Sequence, residues 1–178
     1  MRVLTASEID GILDFPGLVA ALGEAFTADI ETPLRHHHTI ARPPGADATL
    51  LLMPAWTGPS VAAGGHVGVK IVSVFPDNGA RGLPSVMGAY LLIDGATGAP
   101  LAVMDGSALT LWRTAAASAL AASFLARPEA ARLVMVGTGS LAPFLVGAHG
   151  AVRPIADIAV WGRDPAKAAA LVERLSRE

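Results

Sequence analysis

Residues 137–142 have the spacing in this sequence that most suggests binding chemistry. They read Gly-Thr-Gly-Ser-Leu-Ala, a GxGxxA pattern. In such a turn the first glycine makes a tight bend, the second lets backbone N–H groups approach phosphate, and the small last residue allows close packing. The helix that follows would add the positive end of its dipole. The pattern therefore predicts a pyrophosphate site built from Gly137, Thr138, Gly139, Ser140 and Leu141.

The segments around this turn have the pattern of a β-α-β unit. Residues 133–136 form a continuous apolar run, which predicts a parallel strand covered on both faces. An apolar helical segment and a second strand at 157–161 follow at the appropriate spacing. The sequence thus favours a dinucleotide-binding unit, and a glycine-rich turn in some other α/β protein is the alternative.

The residues after the second strand bear on which dinucleotide would bind. An acid that grips the ribose hydroxyls is usual at this point, but Gly162 stands there and Arg163 follows it. Because arginine suits a 2′-phosphate, NADP(H) is preferred and NAD(H) is possible. Asp164 is either the ribose acid or the N-cap of a helix predicted at 165–176, and the cap is favoured because Asp-Pro-Ala-Lys is an ordinary helix start.

Two cations lie within apolar segments. Lys70 interrupts an otherwise apolar strand, and Arg113 precedes the alanine-rich helical residues 115–126. A buried cation is costly without a partner, and arginine can clamp a carboxylate through two hydrogen bonds. The two residues therefore indicate a site for a carboxylate-bearing substrate, or alternatively structural ion pairs with Asp94 or Asp105.

Other polar residues give weaker indications. Strand alternation would send His36 and His38 to one face and His37 to the other, so we expect a partly exposed polar strand and no metal site. Ser85 and Asn78 lie at strand ends, where turn hydrogen bonding is the ordinary role. Arg35 is a further candidate anion contact.

The elements that must position these residues fall into two parts. A short strand at 1–4 and two helical segments come first, followed by five strand-like runs separated by glycine-containing turns. We predict an α+β domain with a mixed sheet over residues 1–127, including a long helix capped by Ser107, and an incomplete Rossmann β-α-β unit over 128–178. The five predicted strands are 34–41, 48–56, 66–75, 86–94 and 99–104.

Composition excludes several classes of protein. The 178 residues are 52% hydrophobic and 16% charged, as in a well-buried globular chain. The formal net charge of −2 and scattered basic residues argue against nucleic-acid binding, and the absence of cysteine excludes disulfides and thiol chemistry. Charged residues interrupt the most apolar region, so no membrane span is predicted and a cytoplasmic location is expected.

Five segments in order resemble the ornithine cyclodeaminase/mu-crystallin family. The similarity runs along essentially the whole chain. The segments are Leu-Leu-Met-Pro-Ala at 51–55, Gly-Val-Lys-Ile-Val-Ser-Val-Phe-Pro-Asp-Asn at 68–78, Arg-Gly-Leu-Pro-Ser-Val at 81–86, Leu-Thr-x-x-Arg-Thr-Ala-Ala-Ala-Ser-Ala-Leu-Ala-Ala at 109–122, and the glycine turn at 137–142.

The resemblance implies a homodimer formed through the N-terminal domain and a Rossmann domain that binds NAD(H) or NADP(H). By position, Lys70 and Arg113 resemble the family's carboxylate-binding cations, and Arg35 its earlier substrate arginine. Ser85 stands near the nicotinamide in this comparison. Arg113 and Thr114 are also implied as cofactor contacts.

The function implied is NAD(P)H-dependent reduction of a small cyclic ketimine such as 1-pyrroline-2-carboxylate. Ornithine cyclodeamination with recycled NAD is one alternative, and a non-catalytic binding protein of the mu-crystallin kind is another. Family members continue beyond this length with further Rossmann strands and an aspartate used as acid and base. We therefore expect the chain to lack the C-terminal half of the Rossmann domain, which is consistent with either a catalytic or a non-catalytic role.

Overall fold

The computed structural model describes residues 1–60 and 64–177. The chain divides into two compact units: Met1–Ile12 with Thr27–Thr110, and Leu13–Phe26 with the residues from Leu111 onward. A helix near the N-terminus and most of the long alanine-rich helix thus group with the second unit. The predicted domain limit between residues 127 and 128 follows the order of the sequence and stays a prediction.

The first unit is built on a mixed sheet, as predicted. The seven described strands are β1 (Arg2–Leu4), β2 (Ile30–Glu31), β3 (His36–Ile40), β4 (Ala48–Thr57), β5 (His66–Val74), β6 (Val86–Asp94) and β7 (Pro100–Asp105). They pair in the order β1-β7-β6-β5-β4-β2, and β3 also pairs with β4. The pair β1–β7 is parallel and the other pairs are antiparallel. The five predicted strands are confirmed within two residues at each end.

Two shorter elements complete the first unit. Helix α1 (Ala6–Ile12) buries Ile9, and a 3₁₀ helix spans Pro76–Arg81. The turn between β6 and β7 is ordered by Asp94, whose carboxylate accepts hydrogen bonds from the backbone N–H groups of Ala96 and Thr97 and from the Thr97 hydroxyl. The Thr97 hydroxyl and N–H hold the pKa of this carboxyl below its usual range.

The second unit contains one parallel strand pair and the helices that accompany it. Its helices are α2 (Phe15–Thr27), α3 (Gly106–Leu125), α4 (Leu141–Val152) and α5 (Pro165–Leu175), and its strands are β8 (Arg132–Val136) and β9 (Asp157–Trp161). Strands β8 and β9 pair in parallel, with α4 between them in sequence. The predicted incomplete Rossmann unit is therefore confirmed.

The long helix α3 begins earlier than predicted. Its first turn is capped by Asp105, whose Oδ1 accepts the N–H groups of Ser107 at 2.9 Å and Ala108 at 2.8 Å. The prediction that Ser107 is the cap was wrong, because Asp105 ends β7 and its carboxylate already faces the free N–H groups. By length and composition alone, α3 could cross a membrane, although it carries Arg113.

Alanines allow close packing of α3 on α4. Ala115 and Ala119 of α3 and Ala148 of α4 are fully buried, and Phe15 and Phe144 are among the larger side chains packed around them. Because alanine adds only a methyl group, helices that meet through alanines can approach closely and exclude water. These residues form the core of the second unit.

Arg153 connects the C-terminal ends of the same two helices. Its Nη2 lies 2.7–2.9 Å from the carbonyl oxygens of Ala122, Ser123 and Ala126, and its Nη1 donates to the carbonyl of Val152 at 2.7 Å. The last carbonyls of a helix lack partners within the helix and carry partial negative charge. A partly buried guanidinium satisfies both requirements at the end of α3.

The outward face of the parallel pair is uncovered. Val134 and Val136 in β8 are 60% and 64% exposed, and Trp161 at the end of β9 is 59% exposed. The prediction that residues 133–136 are covered on both faces was wrong for this chain. The apolar run indicates that the strand is stabilised by burial on both faces, and the described elements bury only one of them.

Acidification is expected to weaken the packing of α3 on α4 through His149. Its Nε2 lies 3.1 Å from the Ser118 hydroxyl, and burial lowers its pKa from the ordinary 6.5. Below that value the unfolded chain takes up the proton first, so the free energy of unfolding falls as pH drops from about 7 to about 5. Urea denaturation at both pH values should show a smaller fall in His149→Gln.

The matched control is His37→Gln, because His37 lies on an exposed strand. Hydrogen bonds lower the pKa values of Glu8, Asp29 and Asp94. Protonation of these carboxylates therefore reduces the free energy of unfolding only near or below about pH 4.5, outside this window. An equal pH dependence in the parent chain and in His149→Gln would contradict the assignment.

Removal of the Arg153 guanidinium should destabilise the second unit. Arg153→Met keeps the length of the side chain but leaves carbonyls of α3 without a charged donor, a loss of about 2 kcal/mol in the free energy of unfolding. Arg132→Met is the control, since Arg132 and its partner Asp157 are both exposed and such pairs contribute about 0.5 kcal/mol or less. Similar losses in the two variants, measured by urea denaturation, would rule out the proposed role of Arg153.

Candidate functional site

The glycine turn lies between β8 and α4, where the sequence predicts it. Gly137 has a φ of 118°, a conformation that residues with a side chain rarely adopt. Its N–H donates to the carbonyl of Trp161 at 2.8 Å, which ties the turn to the end of β9. A Cβ added at Gly139 would meet nothing within 4 Å, so open space lies beside the backbone here.

A cleft of about 540 Å³ opens at this turn. It lies at the carboxyl ends of the two parallel strands, the usual place for ligands in open α/β sheets. Its lining includes Gly137, Thr138, Gly139, Trp161, Arg163 and Lys167. The structure thus brings together Arg163 and the three predicted residues of the turn, whereas Ser140 and Leu141 follow as the start of α4.

Lys167 is a cleft residue that sequence reasoning missed. It lies in the first turn of α5, whereas Arg163 directly precedes the cap of that helix, and both residues line the same cleft. Asp164 between them caps α5, because its Oδ1 accepts the N–H groups of Ala166 at 3.0 Å and Lys167 at 3.4 Å. The favoured reading of Asp164 as an N-cap is confirmed. The segment Arg-Asp-Pro-Ala-Lys could have indicated Lys167, because a cap at Asp164 places this lysine in the first turn of the helix.

Gly162 is packed against the glycine turn. A Cβ at this position would lie 2.8 Å from Cγ2 of Thr138, too close for a real contact. An acidic residue at position 162 would therefore require Thr138 to move.

In the first unit, Lys70 lies near the middle of a central strand. It pairs with Met53 of β4 on one side and with Tyr90 of β6 on the other, and it is half-buried. The two aspartates weighed as ion-pair partners also accept backbone hydrogen bonds, Asp94 in the β6–β7 turn and Asp105 at the start of α3. Burial raises the pKa of Tyr90 above its ordinary value.

The remaining predicted residues of the first unit lie at strand ends. Arg35 is exposed and directly precedes β3, and Ser85 is half-buried directly before β6. The carbonyl of Ser85 accepts the N–H of Phe75 at 2.8 Å. Asn78 is buried, and its Nδ2 donates to the carbonyl of Pro84 at 2.9 Å, so its turn role is confirmed.

Arg113 and Thr114 belong to the second unit, on α3. Thr114 is half-buried, but Arg113 is exposed. The expectation of a buried arginine was wrong, because the long side chain of Arg113 reaches solvent even though Ala115 and Ala116 are fully buried. Water therefore solvates its charge.

The three consecutive histidines lie on β3, which is exposed throughout. His36 and His38 share a face, with their ring centroids 6.3 Å apart, as alternation predicts. Within residues 1–60 and 64–177 no three His, Asp or Glu side chains are grouped in a way that could hold a metal ion.

Comparisons with known proteins agree with this architecture. Residues 2–178 match the ornithine cyclodeaminase/mu-crystallin family. The chain is 35% identical over 179 residues to a Delta(1)-pyrroline-2-carboxylate reductase of Colwellia psychrerythraea, covering 99% of this chain and 54% of that protein. It is 40% identical over 153 residues to Protein SAR DEFICIENT 4 of Arabidopsis thaliana, covering 85% of this chain and 45% of the relative.

A solved structure is also similar. The Thermococcus litoralis Delta(1)-pyrroline-2-carboxylate reductase in complex with NADH and L-proline matches with a TM-score of 0.86 and 30% identity, covering 99% of this chain and 54% of that one. The chain spans about half the length of these relatives. Since the family match covers nearly every residue, the chain belongs to the ornithine cyclodeaminase/mu-crystallin family.

Proposed function

We propose that the protein is an NAD(P)H-dependent reductase of a small cyclic ketimine such as 1-pyrroline-2-carboxylate. The observation that carries the proposal is the cleft at the carboxyl ends of β8 and β9, formed by a glycine turn and rimmed by two cations. Relatives named for reduction of this imine, one of them solved with NADH and L-proline, support the choice of substrate and cofactor.

The residues of the cleft fit a dinucleotide pyrophosphate. Gly137 provides the bend, and the open space beside Gly139 leaves room for phosphate oxygens next to backbone N–H groups. Helix α4 starts at Leu141, so the positive end of its dipole lies at the turn. When bound, the reduced nicotinamide would supply the hydride, and the protein would supply binding, orientation and electrostatics.

The substrate side of the proposal depends on cations. Lys70 of the first unit would bind the carboxylate of the imino acid, with Arg35 as a further contact, as the family motifs imply. The same motifs imply a carboxylate-binding role for Arg113 of the second unit. A carboxylate held by fixed cations orients the neighbouring imine carbon, and such positioning lowers the barrier to the transfer. The cations would also draw electron density from the imine.

The same cleft favours NADP(H) over NAD(H). Arg163 and Lys167 supply two positive charges at its rim, and arginine in particular matches phosphate geometry. Position 162 carries no acid to bind the 2′-hydroxyl, and a Cβ there would lie only 2.8 Å from the Thr138 methyl group. The attraction of the 2′-phosphate and the absence of a ribose-binding acid therefore both favour NADP(H).

A homodimer through the first unit also remains part of the proposal. Ile40, Ile71 and Met87 are exposed apolar residues, and the register places all three on the face of the sheet opposite Lys70. An apolar sheet face of this kind suits association with a second copy. Binding of nucleic acid or membrane is not expected, and a cytoplasmic location stays a prediction.

Turnover tests the proposed activity. The purified chain with NADPH and 1-pyrroline-2-carboxylate should form proline, followed by loss of the near-ultraviolet absorbance of NADPH. In Lys70→Met, kcat/KM should fall about a hundredfold, because the carboxylate loses a cationic partner. The exposed Arg81→Met is the control and should match the parent chain. Absence of turnover by the folded parent chain would refute the activity, and an unchanged kcat/KM in Lys70→Met would refute the role of the lysine.

Calorimetric titration tests the cofactor preference. NADPH should bind about tenfold or more tightly than NADH, since one charged hydrogen bond contributes about 1.5–3 kcal/mol. Arg163→Ala and Lys167→Ala should each reduce this ratio while leaving NADH binding nearly unchanged. Arg177→Ala is the control, because Arg177 follows α5 and pairs with Glu173 outside the cleft. Equal affinities for the two nucleotides in the parent chain would contradict the preference.

A further inference from the structure

Tyr90 is a large, rigid side chain beside the lysine of the proposed substrate site. Residues directly opposite each other in a sheet point to the same face. The register pairs Met53 with Lys70, Lys70 with Tyr90, and Tyr90 with Met104. These four side chains therefore form one row across the sheet, with Tyr90 and Met53 on either side of the lysine.

The tyrosine ring is seated over a glycine. A Cβ added at Gly68 would lie 1.9 Å from the Tyr90 hydroxyl oxygen and 2.7 Å from the ring carbon that bears it. The phenol thus crosses from β6 onto β5 and covers the backbone of Gly68, two residues from Lys70 on the same face. Any side chain at position 68 would displace the ring from this place.

We propose that Tyr90, held over Gly68, is a specificity-determining residue that forms a wall beside Lys70 and restricts its carboxylate ligand to a compact ring. The inference rests on the proposed function, because it takes Lys70 as the residue that binds the substrate carboxylate. It concerns the shape of the ligand that Lys70 accepts.

The two neighbours of Lys70 differ in the way that such selectivity requires. Methionine has three flexible bonds and adapts to the shape of what it meets, so Met53 can yield to a ligand. Tyrosine is rigid, and Tyr90 is half-buried with its hydroxyl already placed over Gly68. A ligand with bulk beyond one small ring would therefore meet Tyr90 as a fixed boundary.

Two planar carboxylates that differ by one fused ring measure this boundary. Pyrrole-2-carboxylate contains a single five-membered ring. Indole-2-carboxylate contains the same ring and carboxylate, with a benzene ring fused to the five-membered ring. Calorimetry with the full chain gives both dissociation constants without turnover. The parent chain should bind the pyrrole at least about tenfold more tightly, the scale of discrimination that a shaped pocket gives for small differences in size.

Variants then identify the wall. Tyr90→Phe keeps the ring and should keep the ratio, whereas Tyr90→Ala should bring the two constants within about threefold by admitting the indole. Gly68→Ala should displace the ring and weaken binding of the pyrrole. Leu91→Ala is the matched control, because Leu91 is adjacent in β6 but points to the opposite face. It should keep the parent ratio.

The outcomes separate the two proposals. If the folded parent chain binds no pyrrole-2-carboxylate, the carboxylate site of the proposed function is wrong, and the wall with it. If the pyrrole binds but the indole binds equally well, or if Tyr90→Ala keeps the parent ratio, the carboxylate site stands and the role of Tyr90 is refuted. Thermal unfolding of each variant confirms that the chain is folded.

Discussion

The close approach of α3 to α4 determines the geometry of the second unit. Ala115, Ala119 and Ala148 are fully buried where the helices meet, and larger residues at these positions would force the axes apart. The contact at the other end of the same pair is electrostatic, because Arg153 binds the last carbonyls of α3. The start of α4, which follows the glycine turn, is held in place by both contacts.

Charge is placed differently in the two units. In the first, Lys70 stands within a central strand, between neighbours that shield its stem. In the second, Arg163 and Lys167 stand at the rim of an open cleft, where water solvates them until an anion arrives. A half-buried cation gains more from a partner than an exposed one does, because its solvation is already reduced. Such a difference suits a tightly oriented small acid in one place and a large, exchangeable nucleotide in the other.

The sequence predicted those elements whose pattern reflects local physical requirements. Strands β4, β5 and β6 follow from β-branched and apolar runs bounded by turns, and the glycine turn follows from its own spacing. The two-residue strand β2 was missed, because Ile30 and Glu31 are too short a segment to show any period. The placement of Lys70 and Arg113 within apolar segments indicated a carboxylate site or ion pairs, and the family motifs implied the first of these.

Features that depend on three-dimensional neighbours could not be predicted from the chain alone. Two oxygen-bearing residues, Asp105 and Ser107, could cap α3, and only the path of β7 selects the first. The apolar run at 133–136 indicates that β8 needs cover but not which face receives it. The sequence did not indicate a role for Tyr90, because its position depends on the pairing of β5 with β6 and on the absence of a side chain at Gly68.

Tryptophan is distributed so that each of its three positions reports on a different environment. Trp56 lies in β4, Trp112 packs against Phe15 and Phe144, and Trp161 stands exposed at the mouth of the cleft. Reduced nicotinamides absorb light in the range in which tryptophan emits, so energy transfer depends on how near the indole is. The emission of Trp161 would therefore decrease when a reduced nicotinamide occupies the cleft, and no attached label would be needed to observe it.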